Sequence, residues 1–231
     1  MQFVFTFIKR RGTMLSFLKL LMELVYPSRC LGCGKLSSSE MSTWCEHCVR
    51  SFWYPRMLIS SKTTDLDGCY TLTNYTGYMR KYLIQLKFGH RERDFRSFWG
   101  LLKKFPWWNS LESFSIAIPI PLSKKRKEER GYNQTDILFQ KWMELQGRIY
   151  YPDGLVKLRN TYPQSMLSRI GRIKNLKHSF HVNKYINIKG KEILLLDDIY
   201  TTGATLKMAA KELKRVGAKR VIGMVIASNA K

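Results

Sequence analysis

The chain has 231 residues, 45% of them hydrophobic, and carries 40 Lys and Arg against 17 Asp and Glu for a formal charge of +23. That apolar share supports a real core and excludes wholesale disorder, and the length suits one full domain with a small accessory unit. No stretch approaches the ~18 apolar residues of a membrane-spanning helix. The basic excess predicts attraction to polyanions, nucleic acid first; the alternative is a set of solvated basic faces in a Lys-rich composition.

Residues 1–8 are apolar and are followed by Lys9, Arg10 and Arg11, the reverse of the order in a secretory signal. An amphipathic pattern starts at Met14, so residues 1–13 read as a mis-assigned extension and the chain as cytoplasmic, with the inner face of the membrane as the alternative place of work. Leu15, Leu18, Leu21, Met22 and Val25 recur at helical spacing and predict a helix ending before Pro27. With the cysteines that follow, it makes a module over residues 14–60.

Four of the five cysteines form two knuckles, Cys30-Leu-Gly-Cys33 and Cys45-Glu-His-Cys48, separated by eleven residues. Each knuckle turns two thiolates toward one point, and two knuckles complete a tetrahedron with no open position. Gly32 and Gly34 give the first knuckle its backbone freedom. Soft thiolate ligands favour structural Zn2+. Without a secretory signal disulfides are disfavoured, and a redox CxxC leaves the second motif unexplained. His47 is expected to face solvent, with replacement of one cysteine as metal ligand as the alternative, and Cys69, between Gly68 and Tyr70, to be a small buried hydrophobe.

Further along, residues 49–68 read as a linker around Pro55, and a strand is expected near Tyr70–Tyr75. Two helices follow, roughly 78–88 and 93–105, broken at Gly89, with Met79, Tyr82, Leu83 and Leu86 on a core face. Residues 115–122 (SIAIPIPL) predict a short buried strand. A polar loop over 123–134 leads to a helix from about Asn133 to Leu145, and residues 148–160 read as extended. A short helix is expected from Ser165 to Lys177. Residues 191–198 (KEILLLDD) predict a strand ending in two acids. A helix from about Thr202 to Val216 has Leu206, Ala209, Ala210, Leu213 and Val216 as its apolar stripe and Gly217 as its stop. Residues 220–228 form a last strand. Strands alternating with helices indicate an α/β domain over 68–231 with a largely parallel sheet.

The informative stretch is ILLLDDIYTTGATL, residues 193–206. Asp197 and Asp198 emerge at the C-terminal end of the strand, where open α/β sheets bind ligands. Thr201, Thr202, Gly203, Ala204 and Thr205 make a small-residue turn opening a helix, whose free N–H groups and dipole suit a phosphate monoester. The acids suit ribose hydroxyls, or Mg2+ held through water. An ordinary N-cap needs one such residue, not this whole set. The glycine–lysine signature of a Walker loop is missing.

LLLDDIYTTGAT resembles the phosphoribosyl-diphosphate signature of type I phosphoribosyltransferases. More closely, the chain resembles the ComF family of competence proteins over about residues 15–228. The resemblance is carried by the four-cysteine module, LKFGHR at 86–91, PIPLSKKRKEERGYNQ at 119–134 and RNTYPQSMLSRIGRIKN at 159–175. It implies a type I phosphoribosyltransferase-like sheet behind a zinc module, and a role in natural transformation, where imported single-stranded DNA is handled. In that frame Arg130 and Gly131, before a helix, suit the diphosphate, with Asn133 beside them. Arg159, Gln164, Arg169 and Arg172 match a loop that closes over the substrate, facing either diphosphate or nucleic-acid backbone. Two function classes stay open. One is a protein that binds phosphoribosyl diphosphate and single-stranded DNA beside DNA-translocation proteins of the competence machinery. The other is a phosphoribosyltransferase using Mg2+ and an unidentified nucleobase or amine acceptor, for which no catalytic base is assigned. An orphan nucleotide-salvage enzyme is a third option, disfavoured because the zinc module stands where a base pocket would be shaped.

Overall fold

The structure is a computed structural model that describes residues 29–36, 43–59, 65–88, 96–157 and 179–230. The expected helices over 15–25 and 165–177, the break at Gly89, residues 1–13, and Arg159, Gln164, Arg169 and Arg172 lie outside the described residues. The chain divides into two compact units, Met1–Arg50 and Ser51–Lys231.

In the first unit an isolated antiparallel bridge joins Arg29 to Leu36 around the first knuckle. Cys30 N donates to Lys35 O at 2.8 Å and Gly34 N to Cys30 O at 2.9 Å, so the turn satisfies its own backbone. Leu31 N donates to Thr43 O at 2.9 Å, which ties this turn to the strand of chain entering the second knuckle. Helix α1 (Glu46–Phe52) starts immediately after Cys45, placing Cys48 within its first turn. His47 is exposed, as its position in the knuckle leads one to expect.

The second unit contains β1 (Trp53–Ile59), β2 (Gly68–Asn74), α2 (Gly77–Phe88), α3 (Arg96–Lys103), β3 (Ile116–Pro119), α4 (Lys124–Arg130), α5 (Gln134–Leu145), β4 (Ile149–Tyr150), β5 (Leu155–Lys157), β6 (Phe180–Val182), β7 (Glu192–Tyr200), α6 (Ala204–Arg215) and β8 (Arg220–Ser228). Six strands form one sheet in the order β1-β2-β8-β7-β3-β4, and β5 and β6 form a separate antiparallel ribbon. Every pairing in the large sheet is parallel except β1 with β2. Central β7 and β8 are continuous apolar runs, as strands covered on both faces must be. Ile193 to Leu196 are all fully buried. The helical stripes match: Met79, Tyr82, Leu83 and Leu86 of α2 are buried, as are Leu206, Ala209, Ala210 and Leu213 of α6. Cys69 is fully buried in the sheet core.

Four local expectations are corrected. Residues 53–59 are an edge strand, not a linker; Pro55 is accommodated because the β1–β2 register shifts between Trp53 and Arg56 and an edge strand needs only one side of its ladder. Arg56 fastens that edge by donating to Asn74 Oδ1 at 3.0 Å and to Ala230 O at 2.6 Å. The polar segment after Ser123 is helix α4, not loop. Ser123 caps it by accepting from Arg126 N, and Lys124–Glu128 and Lys125–Glu129 align at i,i+4. β7 does not end at the acids but runs on to Tyr200, because β8 continues beside it to pair Tyr200 with Ser228. Val216 is 37% exposed, since it is the C-cap of α6 and falls outside the buried stripe. Among the described residues no helix is long and apolar enough to cross a membrane.

Candidate functional site: a thiol cluster and a cationic crevice

In the first unit the Sγ atoms of Cys30, Cys33, Cys45 and Cys48 all lie within 4.8 Å of one another. Cys33 and Cys45 Sγ are 3.6 Å apart. Cys30 Sγ accepts from Cys45 N at 3.2 Å and Gly32 N at 3.4 Å. Burial works against its ionisation, but these N–H donors prevail and bring its pKa down to about 6. For Cys48, burial and the neighbouring thiols push the pKa up. Four thiols this close cannot all ionise without a cation between them, and N–H groups aimed at sulfur stabilise the thiolate form. The donor set therefore fits a metal ion held by all four.

The second unit has its candidate site where two parallel strands part. β3 stops at Pro119, which pairs with Leu196, and Ile120 N closes the ladder on Leu196 O at 2.8 Å. The next two residues of β7, Asp197 and Asp198, thus project beyond the end of their neighbour into a crevice. The crevice has about 170 Å³ of free volume, and its walls include Lys87, Arg126, Arg130, Gln134, Lys157 and Thr205 besides the two acids. Four cations against two carboxylates make it a net positive site.

The turn after β7 follows from one glycine. Gly203 has φ 72°, is buried and is the N-cap of α6. A Cβ there would collide with the Tyr200 ring and hydroxyl. Only glycine lets the chain turn this tightly over Tyr200 and start a helix at Ala204. Thr201 and Thr202 are exposed on the turn, and Thr202 Oγ1 accepts from Ala204 N at 3.4 Å. Of the turn residues, Thr205 lines the crevice.

The acids are unequal. Burial, then the adjacent Asp198 charge, holds Asp197 well above the usual carboxylate range, opposed by the N–H of Asp198, which donates to Asp197 Oδ1 at 2.9 Å. Asp198 is paired with Lys87 Nζ at 3.4 Å. Lys87 comes from the C-terminal end of α2, which is held at the crevice by Tyr132 Oη donating to Leu86 O at 2.5 Å. Lys157 is pushed below the ordinary lysine range by burial and by Arg126, against the pull of Asp197.

Of the residues the sequence singles out, Asp197, Asp198, Thr205, Arg130 and Asn133 come together on the crevice wall. Gly131 does not line it; at φ 75° it closes α4. Asn133 is a brace, donating from Nδ2 to Ile120 O at 3.1 Å while its Oδ1 caps α5 at Thr135 N. Lys87, Gln134 and Lys157 are wall residues that sequence reasoning did not assign. Lys87 and Gln134 lie inside the segments LKFGHR and RGYNQ; Lys157 follows an ordinary apolar pair and gives no local signal.

The phosphoribosyl transferase domain family matches residues 146–231 of this chain. Competence protein ComFC of Bacillus subtilis (strain 168) is 32% identical over 195 residues, which span 81% of this chain and 72% of that protein. DNA utilization protein YhgH of Escherichia coli (strain K12) is 28% identical over 159 residues, 65% of this chain and 67% of that one. Competence protein F of Haemophilus influenzae is 35% identical over 109 residues, 45% and 46% of the two chains. Among solved structures, the glutamine phosphoribosylpyrophosphate amidotransferase of B. subtilis complexed with ADP and GMP aligns with a TM-score of 0.35 and 18% identity, over 48% of this chain and 22% of that one. An α/β unit with a mostly parallel sheet, a preceding four-cysteine cluster and a third of the aligned residues shared with ComFC place this chain in the ComF family of competence proteins.

Proposed function

We propose that this chain is a cytoplasmic DNA-uptake protein that seats a phosphoribosyl-diphosphate-type ligand in the β3–β7 crevice and handles single-stranded DNA with its basic surface. The observation that carries the ligand reading is the Gly203 turn with two carboxylates beside it on a net positive crevice. Thr201, Thr202, Gly203, Ala204 and Thr205 receive the 5′-phosphate at the start of α6, where free N–H groups and the helix dipole favour an anion. Asp197 and Asp198 accept from ribose hydroxyls and would hold Mg2+ through water. Arg130, with Gly131 shaping the turn behind it, serves the diphosphate end. In the four-cysteine unit soft thiolates and closed coordination select Zn2+ in a structural role.

The DNA reading rests on the +23 charge and on relatives named for competence and DNA utilization. DNA-translocation proteins of the competence machinery are the matching partners, at the inner face of the membrane. Calorimetric titration with phosphoribosyl diphosphate tests the crevice: the pair Asp198→Asn with Thr202→Ala should weaken binding by tenfold or more in a folded protein. Unchanged affinity would sink the assignment. Affinity for single-stranded DNA should fall steeply with salt, about three hundredfold or more between 50 and 200 mM if six or more phosphates are contacted. A salt-independent affinity removes the electrostatic basis.

A second reading is favoured by the excess of cations in the crevice, which suits a departing diphosphate: transfer of the phosphoribosyl group to a nucleobase or amine. Pyrophosphate release from phosphoribosyl diphosphate and Mg2+, with free bases or single-stranded DNA as acceptor, distinguishes it. No release with any acceptor leaves a binding protein.

A further inference from the structure

Gln134 is the first residue of α5, only 3% exposed, and part of the crevice wall. Its Oε1 accepts from Arg130 Nη1 at 2.9 Å. Its Nε2 is sealed from bulk solvent and has no acceptor among the described residues. The amide cannot be turned round, because that would press its NH2 against the guanidinium, donor against donor. Folded proteins seldom leave a buried donor unmatched, and where they do the group commonly serves a ligand. Replacing it with an apolar side chain would remove the unmatched donor and give up only the bond from Arg130, so the free protein gains little from the amide and its retention needs a reason.

The surroundings state which acceptor suits it. Arg126, Arg130 and Lys157 share this wall, and the twelve-residue helix α5 begins here, its N-terminus adding partial positive charge. An anionic oxygen is favoured over a neutral carbonyl. The sugar-phosphate end belongs to the neighbouring strand β7, with its acids and the Gly203 turn, so what reaches β3 and α5 is the substituent at the other end of the sugar.

We infer that Gln134 is a specificity-determining residue whose side-chain N–H donates to the diphosphate of the bound ligand, and that Arg130 is the positioning residue that aims it. This rests on the phosphoribosyl reading of the crevice and goes beyond it by separating ligands with a diphosphate from those without. Arg130, assigned from the sequence as a diphosphate ligand, gains a second duty through Gln134.

The test uses the full chain with its metal, titrated calorimetrically with phosphoribosyl diphosphate and with ribose 5-phosphate. Gln134→Met keeps the length and removes the donor; Gln134→Glu keeps an acceptor for Arg130 and replaces the donor with a charge. Both should weaken phosphoribosyl diphosphate about ten- to a hundredfold, the worth of a hydrogen bond to a charged group, while ribose 5-phosphate changes by less than about threefold. Gln134→Met should melt within a few degrees of wild type, since it removes one unmatched donor together with one hydrogen bond from Arg130, and a merely structural role would not separate the two ligands. Arg130→Met should lose the same selectivity, and the double variant Arg130→Met with Gln134→Met should lose less than the sum of the two. Unchanged affinity for phosphoribosyl diphosphate in Gln134→Met, or an equal loss for both ligands, overturns the inference and leaves the phosphoribosyl reading standing. A wild-type protein that binds neither ligand overturns both.

Discussion

The two units are held together by different means. Among the described residues of the first unit, only Cys30, Trp44 and Cys48 are buried, and two of these belong to the thiol cluster. The second unit has a fully buried run on β7, another on β8, and matching stripes on α2 and α6. Among its described residues the first therefore gathers its burial around one point, where four sulfurs could hold a metal ion. The second spreads it over many contacts, none decisive, and can in exchange tolerate a strained crevice with two crowded carboxylates. Small folds that cannot bury enough apolar surface commonly use a metal in this way.

The largest effect that would break the contrast comes from the thiols. Cys48→Ser should abolish retention of zinc, measured by elemental analysis of the purified chain, and amide protection over 29–50 should collapse, since binding of structural zinc contributes about 10–16 kcal/mol in isolated zinc-binding peptides. Full metal content in that variant would show that the cluster is not the organising centre. A single core truncation should cost much less. Leu195→Ala, at a fully buried position on β7, should lower stability by about 2–5 kcal/mol in denaturant melts of a protein that still folds. A loss below about 1 kcal/mol would mean that the core there repacks freely.

The smallest effect runs in the opposite direction. Asp197 has a pKa raised by burial and by Asp198, so its ionisation is harder in the folded chain than in the unfolded one. Its penalty is absent below the unfolded carboxylate value near pH 4, grows as pH rises from there through the raised folded value, and is complete above it. Asp197→Asn keeps an oxygen for the Asp198 N–H and removes the charge. It should stabilise the free protein by about 1 kcal/mol at neutral pH and by nothing near pH 3, a change of a few degrees in melting temperature. A gain that does not depend on pH would place the cause outside charge repulsion. The same variant should bind a phosphoribosyl ligand less well, since it removes one of the two proposed ribose acceptors.

The amino-acid sequence by itself determined the metal-type knuckles, because two C-x2-C pairs carry their geometry locally. It also determined the β7–turn–α6 unit, because an apolar run, two acids, a glycine and an apolar helical stripe are contiguous. It misread residues 53–59 and 124–130. An edge strand can carry a proline that argues against a central one, and a seven-residue helix with no apolar stripe is stabilised by a cap and charge pairs that periodicity does not register. Only the tertiary structure decided which side chains face the acids. Lys87, Gln134 and Lys157 come from α2, α5 and β5, far apart in the chain, and meet because β3 ends one residue short of Asp197 and leaves a gap that neighbouring elements line. Local sequence specifies the glycine turn proposed to receive a phosphate. The charge of the crevice around it depends on strand register and helix placement, which no short window of sequence contains.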